Sequence, residues 1–565
     1  MISVSGKYWE EILVNKRLVE KFKIENNLTD TVSKIVVDRN FTSKEIYSLD
    51  NDVEFSNPFF NNKDFIIATE ILKKNIEDRN NILVIGDYDV DGCVSTSLII
   101  NFLNKFNIDK SYYIPDRVKD GYGANINLVK KLIKINNPKL IIMVDCGSSS
   151  NDTIEFLNKN QINSIIIDHH NIEYPYPKTN VLINPKKNCS YNKYDYFCST
   201  FLTYLFLDLY IKKNDLKIKL EDQLIYVALA TIADVMPLRN HNRFILQKVV
   251  KKFDINKNIF LKTLFKLNSS NKKLEYDDLA YTVAPLINSA GRIDNPNKII
   301  QLLTSNSEIQ IKKLTKELFQ LNQKRKKIEN IVLNKIKFKE LTKKKGVIFY
   351  YDSSIHEGLI GIIASKLKDF FNKPVVVLTK SKNLIKGSAR SIPSFNIGQY
   401  IYKALHNKIL FTGGGHNLAA GLSLQKDKIN IFNKYLDEIY FKKQLSNSNK
   451  YLSKISFSSV NNSYLKELNK LAPFGNQNEK VIFLIENVKI LKPSIIKEKF
   501  VSCFIKSKMN KMIKAVSFNP IESSISLNLL NQKKEINILA KINQNNWNNK
   551  SNIQLEIVDV ISNNT

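Results

Sequence analysis

The sequence predicts an α/β protein: two α/β domains joined by a long helix, followed by a C-terminal OB-fold-like β-barrel. Three observations predict this. Apolar runs alternate with helix-like stretches from about residue 64 to 240, and a second such rhythm starts at 346. Residues 306–342 contain neither Gly nor Pro. From about 450 the pattern breaks into five or more short β-like runs separated by Asn- and Lys-rich turns.

Taken in order, residues 1–60 form an N-terminal segment with no clear motif. Residues 61–305 read as the first α/β domain. The runs Ile82–Ile85, Leu140–Val144 and Ile165–Ile167 have the unbroken apolar character of parallel strands buried on both faces. TSLIINFLNKF (96–106) and LVKKLIKI (128–135) read as helices between strands, which is the rhythm of a parallel sheet. Residues 240–305 look mainly helical. In 306–342, Leu314, Leu318, Leu321, Ile328, Val332 and Ile336 keep helical spacing, so the stretch reads as one long helix. It is a rigid connector or a surface helix of the next domain; both readings stand.

Residues 343–445 repeat the α/β rhythm. GVIFYY (346–351) and PVVVLTK (374–380) look like strands around the helix-like GLIGIIASKLKDFF (358–371), and LFTGGGHNLAAGLSL (410–424) ends the block. Residues 446–565 hold VIFLIENVKIL, KFVSCFIKS, MIKAVSF, INILAKIN and IQLEIVDVI, short strands that fit a small barrel.

At 565 residues the chain is too long for one core. Hydrophobic residues at 43% and aromatics at 10% mark it as globular. No segment has the apolar length of a membrane span, and Lys7, Glu10 and Glu11 interrupt what would be the apolar part of a secretory signal. Five cysteines without CxxC spacing argue against a disulfide framework or a zinc ribbon and fit a reducing cytoplasm. The net charge of +31 has two readings of similar weight. One is a polyanionic partner such as nucleic acid. The other is compositional drift toward Lys, Asn and Ile. Glycine is scarce, 17 of 565 residues against a usual share of about 7%. Yet glycines bunch at 121 and 123, 358 and 361, and 413–415, and four of the six histidines are His169, His170, His356 and His416.

Acidic residues end the apolar runs. ILVIGDYDVDG (82–92), LIIMVDCGS (140–148), SIIIDHHN (164–171) and ALATIADVMPL (228–238) place Asp87, Asp89, Asp91, Asp145, Asp168, His169, His170 and Asp234 after apolar stretches. In an open α/β sheet, ligand groups collect beyond the carboxyl ends of the strands. Carboxylates with one or two imidazoles suit a hard divalent cation such as Mg²⁺ or Mn²⁺. Each piece alone has a plainer reading: the GDYDVDG turn as a helix-capping loop, Asp234 as a helix-end residue. The coincidence of several such ends favours a metal site. Gly413-Gly414-Gly415-His416 reads as a flexible loop rich in backbone donors, or as a plain turn. Lys386-Gly387-Ser388-Ala389-Arg390-Ser391 suits phosphate contacts or a solvated basic turn equally.

GDYDVDG, VDCG, DHH and ADVMPL, in that order, resemble the four motifs of the DHH phosphoesterase superfamily. HEGLIGIIASKL, KGSARSIPSF and TGGGHNLAAGL resemble its DHH-associated domain. PDRVKDGYG (115–123), NSAGRIDNP (288–296) and LAPFGNQNE (471–479) are similar to the bacterial single-strand-specific 5′→3′ DNA exonucleases of that superfamily, over roughly residues 50–560.

The resemblance implies two divalent cations, Mn²⁺ or Mg²⁺, held by Asp87, Asp89, Asp145, His169 and Asp234, with Asp91 a ligand or a supporting residue. It implies that Asp145, Asp168, His169 and His170 carry the chemistry, His170 touching the scissile phosphate and Asp168 supporting the histidines. Ser388 and Arg390 would bind backbone or terminal phosphate, and Arg117, Arg292, His356, Gly414, Gly415 and His416 would hold the strand. The ions would share Asp145, about 3.5–4 Å apart. The implied function is single-stranded DNA exonucleolysis to mononucleotides in recombination and repair. The implied setting is a cytoplasmic monomer that works with a single-strand-binding protein and a helicase. Two rivals remain. A DHH oligoribonuclease or cyclic-dinucleotide phosphodiesterase would lack the strand-rich region at 446–565. A non-catalytic DNA-binding scaffold would have lost carboxylates, and none is lost.

Overall fold

The computed structural model describes the chain apart from residues 117–118, 122, 188–190, 270–272, 443–447, 508–510, 532–534, 548–549 and 562–565. The chain forms two compact units. One is Asp52–Ile336 with His356–Leu359; the other combines Met1–Asn51, Lys337–Ile355 and Ile360–Thr565.

In the second of these units the first strand, β1 (Tyr8–Glu11), pairs in parallel with a strand at Ser448–Tyr451. Helices Lys16–Glu25, Asp30–Asp38 and Ser43–Tyr47 follow. Leu28, Val32, Ile35, Val36, Phe41, Ile46 and Leu49 have no sheet of their own to cover. They are buried in one core with Leu465, Leu468, Leu471 and Phe483 of the C-terminal region. Residues 1–51 are thus part of the unit that holds the barrel rather than a separate segment.

The unit spanning Asp52–Ile336 is built on five strands: β2 (Ile82–Ile85), β3 (Lys110–Tyr113), β4 (Leu140–Val144), β5 (Asn163–Ile167) and β6 (Val181–Ile183). Their order is β3-β2-β4-β5-β6, all parallel. Alternate residues serve opposite faces. Val84, Ile142 and Ile165 join one core with helices Val90–Leu103 and Ser199–Lys213. Leu83, Ile141 and Ile166 join another with helices Ile126–Asn136 and Asn151–Lys159. Both helix sets are needed because a strand apolar on both faces must be covered twice. The order reverses between β2 and β4, so the switch point where such sheets bind ligands lies between the ends of these two strands.

The long helix is Glu308–Lys335, capped by the Ser307 side chain, which accepts from the Gln310 backbone. Ile311, Leu314 and Leu318 enter the core of the Asp52–Ile336 unit. The helix stops at Ile336, and a short helix Phe338–Thr342 follows.

The second sheet contains β7 (Ile348–Tyr351), β8 (Val375–Ser381), β9 (Leu384–Arg390), β10 (Thr412–His416) and β11 (Ala419–Leu424), ordered β10-β11-β9-β8-β7. Only β7 and β8 run parallel. Two expectations change here. Gly413–His416 is the edge strand β10 of an antiparallel hairpin, not a flexible loop. The KGSAR run is strand β9 in the middle of the sheet, not a turn. Pairing with β11, which lies between β9 and β10, overrides the weak strand preference of glycine.

The C-terminal region contains β12 (Ser448–Tyr451), β13 (Ser453–Lys454), β14 (Phe483–Ile496), β15 (Phe500–Lys506), β16 (Met512–Ser517), β17 (Ile536–Trp547) and β18 (Lys550–Ile561). The last five pair in the order β14-β15-β16-β18-β17, and β17 returns to β14, so the barrel closes. The five apolar runs read from the sequence fall on these five strands. Asp559 of β18 is fully buried, and its Oδ2 accepts from Ser3 Oγ at 2.8 Å, Ser5 Oγ at 2.6 Å and Trp9 Nε1 at 3.0 Å. The first residues of the chain are thereby pinned to its last strand.

Candidate metal centre and substrate-binding residues

Beyond β2 the chain turns through Gly86–Asp89 into helix Val90–Leu103. Asp89 is the helix N-cap, its Oδ1 accepting from Gly92 N at 3.1 Å. A Cβ at Gly92 would lie 2.4 Å from Asp87 N, so only glycine lets the helix start close against the Asp87 backbone. Asp145 follows β4 directly. Its φ is 60°, a left-handed backbone that a non-glycine residue holds only when its surroundings fix it. Asp168 follows β5, and Asp234 closes helix Leu224–Ala233.

These positions bring three ligand groups together: Asp87, Asp89 and Asp145; Asp145, His169 and His170; and Asp91, His169 and Asp234. Within each, one ligand atom per residue lies within 4.8 Å of the others. His169 Nε2 is 3.2 Å from Asp234 Oδ2 and 3.4 Å from Asp145 Oδ1. Asp145 Oδ2 and His169 Nδ1 are buried without a hydrogen-bond partner among the described residues. Buried polar atoms are nearly always satisfied. Orphan donor atoms on facing ligands, in an oxygen-rich set with an imidazole, fit divalent cations.

Electrostatics agree. Burial, then the neighbouring charges of Asp91, Asp89, Asp87 and Asp234, push the Asp145 carboxyl well above the usual carboxylate range. Burial and the charges of Asp91 and Asp89 do the same to Asp234. Burial and Asp91 also raise Asp89. Such mutual repulsion is what a bound cation would relieve.

Asp168 has a different task. Its Oδ1 accepts from His169 N at 2.8 Å and His170 N at 3.1 Å, and lies 2.8 Å from His170 Nδ1; its Oδ2 accepts from Ser148 N at 3.1 Å. Burial pushes the Asp168 carboxyl up, but the His170 hydrogen bond and charge outweigh it and hold it well below the usual range. Burial pulls His170 down, yet the same hydrogen bond wins and raises it to about 9. Burial and the His170 charge lower His169 to about 4. The adjacent imidazoles therefore divide into a neutral one facing the carboxylates and a protonated one clamped by Asp168.

Sequence reasoning missed Ser148, Asn184, Ser199 and Thr200. Asn184 Nδ2 donates to Ser148 Oγ at 2.8 Å and to His170 O at 2.9 Å. Asp91 Oδ2 accepts from Ser199 N and Oδ1 from Thr200 N, both at 2.7 Å. Both Asp91 oxygens are thus engaged by the N-terminus of helix Ser199–Lys213. The pair Ser199-Thr200 ahead of the apolar FLTYLFL was a visible helix-start signal, but nothing in it named Asp91 as the partner.

Of the expected substrate contacts, Arg117 lies outside the described residues. Arg292, near the end of helix Ala284–Ile293, donates from Nη1 to Gly358 O at 3.1 Å, and the exposed His356 accepts on Nδ1 from Gly358 N at 3.1 Å. These two are brought together. In the second sheet, β9 and β10 flank β11, so Ser388, Gly421 and Gly414 form one row and Arg390, Ala419 and His416 the row two residues away. A Cβ at Gly361 would lie 3.3 Å from Ser388 Oγ and 3.5 Å from Arg390 Nη2, so hydroxyl and guanidinium converge on the first turn of helix Ile360–Phe371. Gly415 lies in the same hairpin, opposite Ala420. On the barrel, the exposed Phe504 pairs with the exposed Lys514, and Lys506 pairs with the exposed Met512. Their strand neighbours Cys503, Ile505, Ile513 and Ala515 fill the barrel core. β15 and β16 thus present an aromatic and basic outer face.

Comparison with known proteins covers all three regions. Residues 81–232 match the DHH family N-terminal domain, 344–441 the DHHA1 domain and 453–559 the RecJ OB domain. The single-stranded-DNA-specific exonuclease RecJ of Bacillus subtilis is 28% identical over 570 residues, covering 98% of this chain and 70% of the relative. The Haemophilus influenzae enzyme of the same name is 31% identical over 403 residues, covering 66% of this chain and 69% of the relative. The crystal structure of Thermus thermophilus RecJ in complex with Mn²⁺ superposes with a TM-score of 0.82 at 20% identity, covering 99% of this chain and 80% of that one. Agreement of that extent with the Haemophilus relative, together with the match to the DHH family model, makes this chain a member of the RecJ family of the DHH superfamily.

Proposed function

We propose that Asp87, Asp89, Asp145, His169 and Asp234 hold two divalent cations, Mn²⁺ or Mg²⁺, with Asp145 as the shared ligand. The chain is a single-stranded-DNA-specific exonuclease that degrades its substrate 5′→3′ to mononucleotides in recombination and repair. Its relatives' structures are solved with Mn²⁺ and with Mg²⁺. One observation carries the site reading: Asp145 is buried against four acidic neighbours and His169, with one oxygen that has no hydrogen-bond partner among the described residues. When bound, the cations activate a water and offset charge on the phosphoryl oxygens.

The side chains do the rest. Asp87 and Asp89 stand on a turn fixed by Gly92. His169, neutral, offers a nitrogen lone pair. His170, kept protonated by Asp168, donates to a phosphate oxygen in the charge-assisted manner that suits a phosphodiester. Asp91, with both oxygens on helix N–H groups, supports rather than ligates. Ser388 and Arg390 grip backbone or terminal phosphate, Gly414 and His416 line the same two sheet rows with Gly415 between them, and Arg292, His356 and Arg117 hold the strand. The barrel face at Phe504 and Lys514 adds stacking and charge.

We further propose that the protein acts as a monomer in the cytoplasm with a single-strand-binding protein and a helicase. Cys93, Cys146, Cys198 and Cys503 are all free, which suits a reducing compartment. Among the described residues no helix is long and apolar enough to cross a membrane.

Purified protein with Mn²⁺, given single strands labelled at either end and matched duplex, tests the function. Labelled mononucleotide should appear first from the 5′ end of single strands, and chelator should stop it. Cutting that starts at the 3′ end, or that persists in chelator, rejects the reading.

A further inference from the structure

We propose that Ser199 is the positioning residue for Asp145: it fixes which carboxylate oxygen faces which cation and so sets the site's tolerance of Mg²⁺ relative to Mn²⁺. The inference rests on the reading of Asp145 as the shared ligand.

Ser199 ties two carboxylates at once. Its backbone N–H donates to Asp91 Oδ2 at 2.7 Å, and its hydroxyl donates to Asp145 Oδ1 at 3.0 Å. The mount is rigid. Ser199 is fully buried at the start of a fifteen-residue helix whose residues Ser199–Leu207 are all buried. Thr200 reinforces it, donating its N–H to Asp91 Oδ1 and its hydroxyl to Asp91 O. The helix start is therefore pinned to the first turn of helix Val90–Leu103, directly after Asp87 and Asp89.

For Asp145 the consequence is directional. Its backbone is already held at φ 60°. With Ser199 Oγ on one lone pair of Oδ1, rotation of the carboxylate would break a buried hydrogen bond. Oδ2, which has no hydrogen-bond partner among the described residues, is then held in a fixed direction. Mg²⁺ demands near-ideal octahedral geometry and gives up water reluctantly, so it depends most on a carboxylate that cannot swing. Mn²⁺ accepts mixed nitrogen and oxygen ligands and depends on it less.

The test uses the full chain with Ser199→Ala. Loss of a hydrogen bond to a metal ligand typically weakens metal binding about 10–100-fold. The expected result is a loss in that range for Mg²⁺ in competition titrations, a smaller loss for Mn²⁺, and a changed paramagnetic resonance spectrum of the two-Mn²⁺ form. Ser199→Thr, which keeps the hydroxyl, should restore most of the Mg²⁺ affinity. Melting in chelator separates a merely structural role: a lower melting temperature with unchanged affinities and spectrum overturns the proposal. Equal losses for both ions, unrelieved by Thr, overturn it too. If Ser199→Ala does not fold, Ser199→Cys, close in shape but a weak donor, is read the same way. Asp145→Ala is the parallel control. Wild-type metal affinity in that variant defeats the shared-ligand reading, whereas loss there with no loss in Ser199→Ala defeats this proposal alone.

Discussion

The metal centre and the second-sheet row are built by opposite means. The centre gathers six carboxylates and two imidazoles at strand and helix ends, with a left-handed backbone at Asp145 and buried atoms of Asp145 and His169 that have no hydrogen-bond partner among the described residues. The rows at Ser388 and at Arg390 and His416 lie on ordinary paired strands, with Arg390 half-buried and His416 exposed. On the proposed reading the first arrangement is completed by cations, whereas the second is a complete sheet whose side chains would meet a ligand. Changes in the first should therefore abolish chemistry, and changes in the second should tune binding.

The largest expected effect is Asp145→Ala. It removes the carboxylate common to two of the three ligand groups, and hydrolysis should fall by several orders of magnitude with the fold retained. Near-normal turnover would erase the contrast. Next comes Arg390→Ala, which should slow cutting of 5′-phosphorylated strands more than of 5′-hydroxyl strands. Lys at 390 should rescue only in part, because a point charge lacks the guanidinium fork. Equal slowing on both ends would deny the row any part in reading the terminus. A smaller effect is expected at Phe504→Ala. Stacking contributes about 1–3 kcal/mol per base at such platforms, so affinity for long single strands should drop while very short oligonucleotides are cut as before. Unchanged affinity in a binding titration would remove the barrel face from the substrate path.

The smallest effect concerns pH. His170 is raised from 6.5 to about 9 by its hydrogen bond to Asp168, against the pull of burial. A group with a raised folded pKa stabilises fully below its unfolded value and loses that contribution as pH rises through the folded one. The metal-free protein should therefore lose stability between about pH 6.5 and 9, and His170→Gln should lack that component. Parallel melting curves of the two proteins across this window would show that the clamp is not charged.

Much of the centre could be read from the chain because its carboxylates directly follow unbroken apolar runs such as Ile82–Ile85 and Leu140–Val144. Parallel strands line up their ends, so a linear pattern becomes a spatial one. Ser199 and Asn184 were invisible for the converse reason. They are common residue types, and their partners lie 54 and 36 positions away. The Gly413–His416 run looked like a loop since glycine weakens strands, yet an edge position against β11 tolerates it. The N-terminal helices showed no motif because their apolar faces are completed by residues such as Phe483, more than four hundred positions on.

That last pairing has a consequence for how the chain is made. Asp559 pins Ser3, Ser5 and Trp9, while the whole Asp52–Ile336 unit is encoded between those partners. During synthesis the nuclease core emerges and can fold while the first fifty residues still wait for a barrel that does not yet exist. Their apolar helices are a transient liability until the barrel strands that bury them are made, and the unit that closes last joins Ser3, Ser5 and Trp9 to Asp559.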